Sequence, residues 1–207
     1  MHIPSSLTKD VALASFEEAY AAAGKEREDY DVKRWLYVPP VYTEYRYILG
    51  TRGARPLVCV GINPSTACPD ALDNTLKSVE RIALASGFDS FLMFNVYAQR
   101  ATDPDDMERQ FNPYLHEQNL AAFDYTLRTL PAYPVVWAAW GTIIEKRPFL
   151  ADCLDGFLAV AEKYGVKWVC AGRCSKAGHP HHPLYLRKDE PLVAFDAAAY
   201  RKKAFGE

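Results

Sequence analysis

Polar side chains that could recognise a planar, polar ligand follow three apolar runs of this sequence. Asn63 lies in the segment GINPS, Asn95 ends the run FLMFN, and His179 and His182 lie in the segment HPHHPLYL. An asparagine amide offers a donor and an acceptor to the edge of a heterocycle, and a histidine can donate to a carbonyl or to a developing anion. These residue types predict a ligand of that kind and chemistry that places negative charge on it.

The same residues also have plain structural interpretations, which the sequence leaves open. GINPS could be an ordinary turn, and Asn95 could be a buried amide that ties down a loop. His182 could bind backbone carbonyl groups, and Trp140 is most simply a core residue. We do not expect all four structural interpretations to hold at once, although each is reasonable by itself.

Four apolar, β-branched runs alternate with helical patterns and would position these side chains. Such alternation predicts a parallel sheet whose strands all end at one edge, so Asn63, Asn95 and His182 should meet in one pocket there. Asp73 is a candidate cap of the helix that follows GINPS. The predicted strands are residues 57–62, 91–96, 135–140 and 166–171, and the predicted helices between them are 74–86, 115–130 and 149–164.

Both ends of the chain carry further helical patterns. We predict a helix over residues 8–23 with a threonine cap, then an irregular segment with a short strand near residues 45–49, and a last helix over residues 192–204. The expected fold class is α/β, a three-layer α/β/α sandwich with a central parallel sheet. Residues 1–207 should form a single domain, with residues 1–43 as a helical and irregular N-terminal extension packed on it.

Composition narrows the class of protein. The chain has 207 residues and a formal net charge of −2, so global charge does not favour nucleic acid, although Arg46, Arg52 and Arg55 form a local basic group. It has neither an apolar run of membrane-spanning length nor the start of a signal peptide, so we expect a cytoplasmic monomer that does not enter membranes.

Five cysteines without a secretion signal predict free thiols. Cys170, Cys174, His179 and His182 could in principle close a zinc site, but their spacing matches no common zinc finger. We therefore expect neither a metal nor an organic cofactor.

The order of the motifs resembles that of the uracil-DNA glycosylase superfamily. GINPS looks like its G-x-[DN]-P segment, in the G-I-N-P form of the mismatch-specific branch; FLMFN, AAWG and HPHHPLYL resemble the motifs that follow. Over roughly residues 44–188, NPSTA, RATDP, AWG and HPLYL also resemble a bacterial domain of unknown function numbered 1643. The resemblance implies a uracil-DNA glycosylase-like fold and a DNA glycosylase, which flips a base out of DNA and hydrolyses its N-glycosidic bond.

The resemblance also implies a role for each matching residue. Asn63 would hold the attacking water, with Asp73 as a nearby carboxylate, and His182 or His179 would stabilise the departing base. Asn95 would read the base together with Ile62, Pro64, Ser65 and Tyr97. Contacts with DNA would come from Arg100, Ser175, Lys176, Leu184, Tyr185, Arg187 and Lys188.

One departure from the superfamily keeps other functions open. Asn63 cannot act as a general base, so it could only orient water. The chain could instead be a non-catalytic module that binds a nucleotide or damaged nucleic acid at the same edge. Hydrolysis or transfer on a free nucleoside is a third possibility, for which the groove would lack basic walls.

Overall fold

The computed structural model describes residues 1–131 and 133–206, and within them it contains one mixed sheet of seven strands and five α-helices. The fold is therefore α/β. The strands are β1 (Trp35–Val38), β2 (Ile48–Thr51), β3 (Pro56–Gly61), β4 (Ser90–Asn95), β5 (Val135–Ala138), β6 (Lys167–Ala171) and β7 (Leu192–Ala194), in the spatial order β1-β2-β4-β3-β5-β6-β7.

The four strands predicted from apolar runs form the parallel centre of this sheet. β3 pairs in parallel with β4 on one side and with β5 on the other, and β5 pairs in parallel with β6. The prediction of a parallel arrangement of these four strands is confirmed. Their carboxyl ends consequently lie at one edge of the sheet.

The two margins of the sheet are antiparallel, which the sequence analysis did not predict. β1 and β2 form an antiparallel pair on β4, within a segment expected to be mostly irregular. β7 pairs antiparallel with β6, so a helix beginning at residue 192 is wrong. That strand ends at Ala194, and the Asp196 side chain caps the helix that starts at Ala197.

The helices mostly follow the predicted ranges, with one correction at the N-terminus. They are α1 (Phe16–Ala23), α2 (Asn74–Ala85), α3 (Pro113–Thr129), α4 (Phe149–Lys163) and α5 (Ala197–Phe205). The helix predicted from residue 8 begins only at Phe16, because Ser15 and Glu18 form a capping box there. Thr8 instead starts a 3-10 turn, and its hydroxyl donates to the Glu108 carboxylate at 2.6 Å.

Alternating side chains of the central strands face two apolar layers. Val58 and Val60 of β3 pack in the cluster that includes α1, α3, α4 and α5, whereas Leu57 and Cys59 pack in the cluster that includes α2. Helices thus cover both faces of the sheet. Among the described residues, no helix has the length and apolar character needed to cross a membrane.

Backbone hydrogen bonds join the chain after β3 to the chain after β4. Val96 N–H donates to the Gly61 carbonyl at 2.9 Å, Tyr97 N–H to Ile62 at 3.0 Å, and Ala101 N–H to Pro64 at 2.9 Å. The GINPS segment is therefore held rigidly against the loop that follows Asn95. This contact positions the pocket described next.

Candidate functional site

A cavity of about 330 Å³ lies at the carboxyl edge of the sheet, between the ends of β3 and β4, the start of α2 and the 3-10 turn Pro183–Tyr185. Its polar side chains include those of Arg46, Asn63, Ser65, Asp73, Asn95 and His182. A larger groove of about 860 Å³ lies elsewhere, between α1, α3 and α4. We take the smaller cavity as the candidate site because polar groups from separate elements converge there, at the edge where α/β sheets bind ligands.

Asn63 has a fixed amide orientation in this cavity. Its Nδ2 donates to the carbonyl of Ala101 at 2.8 Å and to the carbonyl of Pro64 at 3.1 Å. Both partners are acceptors, so the amide nitrogen must occupy that end of the side chain. Among the described residues Oδ1 accepts no hydrogen bond, which leaves an acceptor for water or ligand.

Asn95 presents the opposite end of its amide. Its Oδ1 lies 3.5 Å from Nη2 of Arg46, and its backbone carbonyl accepts from Nδ2 of Asn119 at 2.8 Å. The side-chain Nδ2 is left as a donor beside Gly61, where a β-carbon would come within 2.9 Å of it. Glycine at position 61 therefore gives Asn95 the space to adopt this orientation.

Asp73 has a structural role and a spare oxygen. Its Oδ1 accepts from the backbone N–H of Leu76 at 2.9 Å, which caps α2 as predicted. The half-buried carboxylate also lines the cavity. Its negative charge raises the pKa of both Arg46 and His182, against the lowering effect of burial. Asp70, the other nearby carboxylate, is exposed and bonds with Trp35 and Arg34 instead.

His182 enters the cavity from the turn after β6. Burial lowers the pKa of its imidazole to about 4, with the Asp73 carboxylate acting in the opposite direction, so the ring is neutral at pH 7. Nδ1 accepts from the backbone N–H of Leu184 at 3.4 Å, which leaves the proton on Nε2. Gly141, at φ +66°, lies close enough that a β-carbon there would be 3.2 Å from the His182 Cβ.

The structure thus brings together Asn63, Asp73, Asn95 and His182 in one cavity, and Ile62, Pro64 and Ser65 line it as well. Ser65 hydrogen-bonds Thr102 through the two hydroxyl groups, at 2.9 Å. Asn63, Asn95 and His182 are far apart in the sequence and meet because parallel strands end at the same edge.

Three predicted residues are buried outside the cavity. His179 is buried outside the cavity, with Nδ1 bonded to the Tyr200 hydroxyl at 2.8 Å and Nε2 to Glu145 at 3.1 Å, so it fixes α5 and offers no free nitrogen to a base. Tyr97 points into the core, where its hydroxyl bonds Glu108. The side chain of Arg100 is completely buried and so is not at the surface where DNA was expected to contact it.

The predicted DNA-contacting residues divide into two groups. Leu184 and Tyr185 lie at the mouth of the cavity and are exposed, Tyr185 by 80%. Arg187 and Lys188 follow them on the surface, although Arg187 pairs with Glu190 at 3.1 Å. Ser175 and Lys176 belong to the turn that precedes His179, and neither lines the cavity.

Arg46 is a cavity residue that the sequence analysis did not single out. It was grouped with Arg52 and Arg55 as a local basic group, but its side chain is 1% exposed and lines the cavity. The available signal was its position in the aromatic and apolar run YRYIL, where a charge needs a buried partner or a ligand.

Metal ligation finds no support in the geometry of the described residues. Within them, no three or more His, Cys, Asp or Glu side chains group closely enough to hold a metal ion. His179 and His182 face different surroundings, and the cysteines of the described chain are free thiols.

Comparisons with known proteins identify the family but not an activity. No curated protein and no solved structure gave a significant match to the chain, and no comparison links it to the uracil-DNA glycosylases. Residues 46–184 match a family described as "Protein of unknown function (DUF1643)". The match covers more than half of the 207 residues and includes Arg46, Asn63, Asp73, Asn95 and His182, so the chain belongs to this family.

Proposed function

We propose that this protein is a DNA glycosylase that hydrolyses the N-glycosidic bond of a uracil-like, mismatched or modified pyrimidine. The observation that carries the proposal is the convergence of Asn63, Asp73, Asn95 and His182 on one cavity of about 330 Å³. Bond cleavage of this type needs a positioned water, a base reader and a donor for the departing base. The four side chains supply one group for each of these tasks and a carboxylate in addition.

Asn63 and Asp73 would orient and deprotonate the attacking water. The free Oδ1 of Asn63 accepts a hydrogen bond from the water and orients the water oxygen toward C1′ of the sugar. Asp73 accepts the proton that the water loses as its oxygen bonds to C1′. Asn63 cannot act as a general base, but the Asp73 carboxylate is present to take that role.

Asn95 and His182 would donate hydrogen bonds to the departing base. As the bond between C1′ and the ring nitrogen breaks, its electron pair moves to the base and spreads onto the base oxygens. The neutral His182 ring donates its Nε2 proton in a hydrogen bond to that oxyanion, and Asn95 Nδ2 donates to a second oxygen. The released base then takes up a proton, which leaves an abasic sugar and the free base.

The mouth of the cavity is compatible with a base flipped from DNA. Tyr185 is 80% exposed at the rim and could stack on a neighbouring base, while Leu184 beside it could fill the space of the flipped nucleotide. Arg187 and Lys188 are exposed on the chain that follows and could contact phosphates.

A second candidate, hydrolysis of a free nucleoside, is favoured by charge at the opposite rim. Thr102 and Pro104 line the cavity, and the exposed carboxylates of Asp103 and Asp106 belong to the same short segment, whereas that of Asp105 pairs with Lys146. Arg100, which was expected to contact DNA there, is buried. Acidic groups at a mouth repel a phosphate backbone but not a neutral nucleoside.

Single-turnover cleavage tests the proposal. Single-stranded and duplex oligonucleotides bearing uracil, mismatched thymine or 5-substituted pyrimidines are incubated with excess protein and then assayed for alkali-labile sites. The doubly substituted Asp73→Asn/His182→Ala protein, purified identically, controls for contaminating glycosylases. Free nucleosides with the same bases are assayed in parallel for released base.

Each outcome selects one function. Cleavage by the wild-type protein and not by the double variant supports the glycosylase. Release of base from nucleosides alone supports the second candidate. Binding of altered DNA without release of any base would refute both reactions and favour a non-catalytic binding module.

A further inference from the structure

The side chain of Arg46 is buried against the cavity with most of its hydrogen-bonding capacity unused. A guanidinium has five N–H groups. Nη1 donates to the Ala67 carbonyl at 3.1 Å, Nη2 lies 3.5 Å from Oδ1 of Asn95, and the buried Nε has no partner among the described residues. Those residues also place no carboxylate within ion-pair distance of it. A buried charge is ordinarily paired, so this arrangement points to a missing anion.

A second cation intensifies the positive potential. Arg100 donates to the same Ala67 carbonyl at 3.2 Å and to the Tyr37 hydroxyl at 2.9 Å, and its guanidinium lies 4.2 Å from the ring centre of Tyr42. Burial, and then Arg100, lower the pKa of Arg46 to about 9, while Asp73 at the cavity wall opposes the shift. Arg46 therefore stays charged at pH 7 with only neutral groups bonded to it.

Three further donors of the cavity, beyond the two acceptors that contact Arg46, have no partner among the described residues. Asn95 turns its Nδ2 away from Arg46, and the backbone N–H groups of Ser65 and Thr66, which line the cavity, have no acceptor within the described chain. A guanidinium edge beside an amide N–H matches the two oxygens of a planar anion better than a single point charge would.

We propose that Arg46 and Asn95 form an oxyanion subsite, and that the ligand of this cavity is a single heterocycle that presents a planar oxyanion to them. The negative charge could belong to a carboxylate substituent or to the deprotonated imide of a released base. A cavity of about 330 Å³ is near the small end of ligand sites, which fits one ring and its substituent. The subsite does not depend on cleavage of a glycosidic bond, since binding alone would use it.

Calorimetric titration with three probes tests the subsite. Uracil and orotate share one ring and differ by a carboxylate, and inorganic phosphate supplies a tetrahedral anion without a ring. Each is titrated at pH 7.5 and constant ionic strength into the wild type, Arg46→Met, and Arg52→Met as the matched change at an exposed arginine. We expect orotate to bind the wild type and Arg52→Met at least about tenfold more tightly than uracil, and to lose that preference in Arg46→Met.

A titration with 5-nitrouracil between pH 5 and 7.5 distinguishes the two sources of charge, because its imide ionises in that range while Arg46 stays protonated. Tighter binding of 5-nitrouracil as its imide ionises, lost in Arg46→Met, supports the subsite with the base anion as its occupant. Failure of all probes to bind, saturable binding of phosphate alone, or equal orotate binding by wild type and Arg46→Met would overturn the proposal.

Thermal unfolding shows whether Arg46 is instead a structural residue. Removing a buried charge that lacks a countercharge should leave the unfolding midpoint of Arg46→Met unchanged or raise it. A structural arginine predicts a lower midpoint, and loss of orotate binding together with a large destabilisation would count against the subsite. If Arg46→Met does not fold, Arg46→Lys serves, since it keeps the charge, loses the fork and should weaken orotate binding.

Discussion

Variants of Asp73 can distinguish a structural role from the proposed catalytic one, because stability and rate should respond to them differently. Oδ1 caps α2 through the N–H of Leu76 at 2.9 Å, and the carboxylate also lines the cavity. Asparagine caps helices about as well as aspartate, so Asp73→Asn should lose only the interaction of the charge with the helix dipole, about 0.3–1 kcal/mol of unfolding free energy. Asp73→Ala should lose a further ~1 kcal/mol.

The rate should respond in a different pattern. Loss of a general base typically lowers a rate by about 10²- to 10⁴-fold, so both variants should fall by at least about 100-fold in single-turnover cleavage. Domains are usually stable by about 5–15 kcal/mol, so neither variant should unfold at 25 °C and unfolding cannot explain the loss.

Asp196 provides the matched control for this experiment. It caps α5 through the N–H of Ala199, also at 2.9 Å, on the surface and outside the cavity. Asp196→Asn should change the unfolding free energy about as much as Asp73→Asn, as measured by urea denaturation, and leave the rate unchanged. A wild-type cleavage rate in Asp73→Asn would refute the reasoning and reduce Asp73 to a helix cap.

Four further predictions concern the site and its supports. His182→Ala should lower the single-turnover rate by about 10²-fold or more with little loss of substrate binding, whereas Asn95→Ala should alter which base is accepted in a panel of oligonucleotides. Arg187→Ala should weaken DNA binding across all sequences and reduce its dependence on salt in titrations; an effect on one sequence only would contradict a phosphate contact. Burial lowers the pKa of His116 and His182 from 6.5 to about 4, so the unfolded chain binds more protons between these pH values. The unfolding free energy should therefore decrease as pH falls from 6.5 to 4, less steeply in His116→Phe, and an unchanged slope would exclude His116. Gly141→Ala places a side chain at φ +66° and ψ −167°, a region essentially restricted to glycine, and should cost about 1–3 kcal/mol in urea unfolding and slow cleavage by displacing His182.

The parallel centre of the fold was predictable because its strands are buried on both faces and read as continuous apolar runs. β3 and β4 carry that signal, and Asp73 marks the start of α2 by its capping chemistry. β7 has only three residues, two of them exposed, and it gave no comparable pattern. Its strand pairing comes from β6 beside it, which is a tertiary effect that a local pattern does not contain.

The positions of site residues were predictable where the sheet topology determines them. They were not predictable where the path of a loop determines which way a side chain points. Asn63, Asn95 and His182 meet because they follow strands that end at one edge. Tyr97 lies only two residues after Asn95, but the chain has left the strand and turned along the GINPS segment, so its ring enters the core. His179 lies only three residues before His182, yet its contacts with Tyr200 and Glu145 hold it on the other side of the turn.

The orientations fixed by the protein determine which face of a ligand the cavity can satisfy. Asn63 must offer an acceptor because its Nδ2 serves two carbonyl groups, and Asn95 must offer a donor because its Oδ1 faces Arg46. His182 must offer a donor while Leu184 N–H occupies Nδ1. A base with oxygens toward Asn95 and His182 therefore accepts a hydrogen bond from both donors. An amino group in either place would instead point its own N–H groups at a buried N–H group of the protein. Buried polar groups without partners discriminate strongly between such ligands, so under the proposed function we expect the site to accept keto bases in preference to amino bases, whatever contacts are made with the sugar or the phosphates.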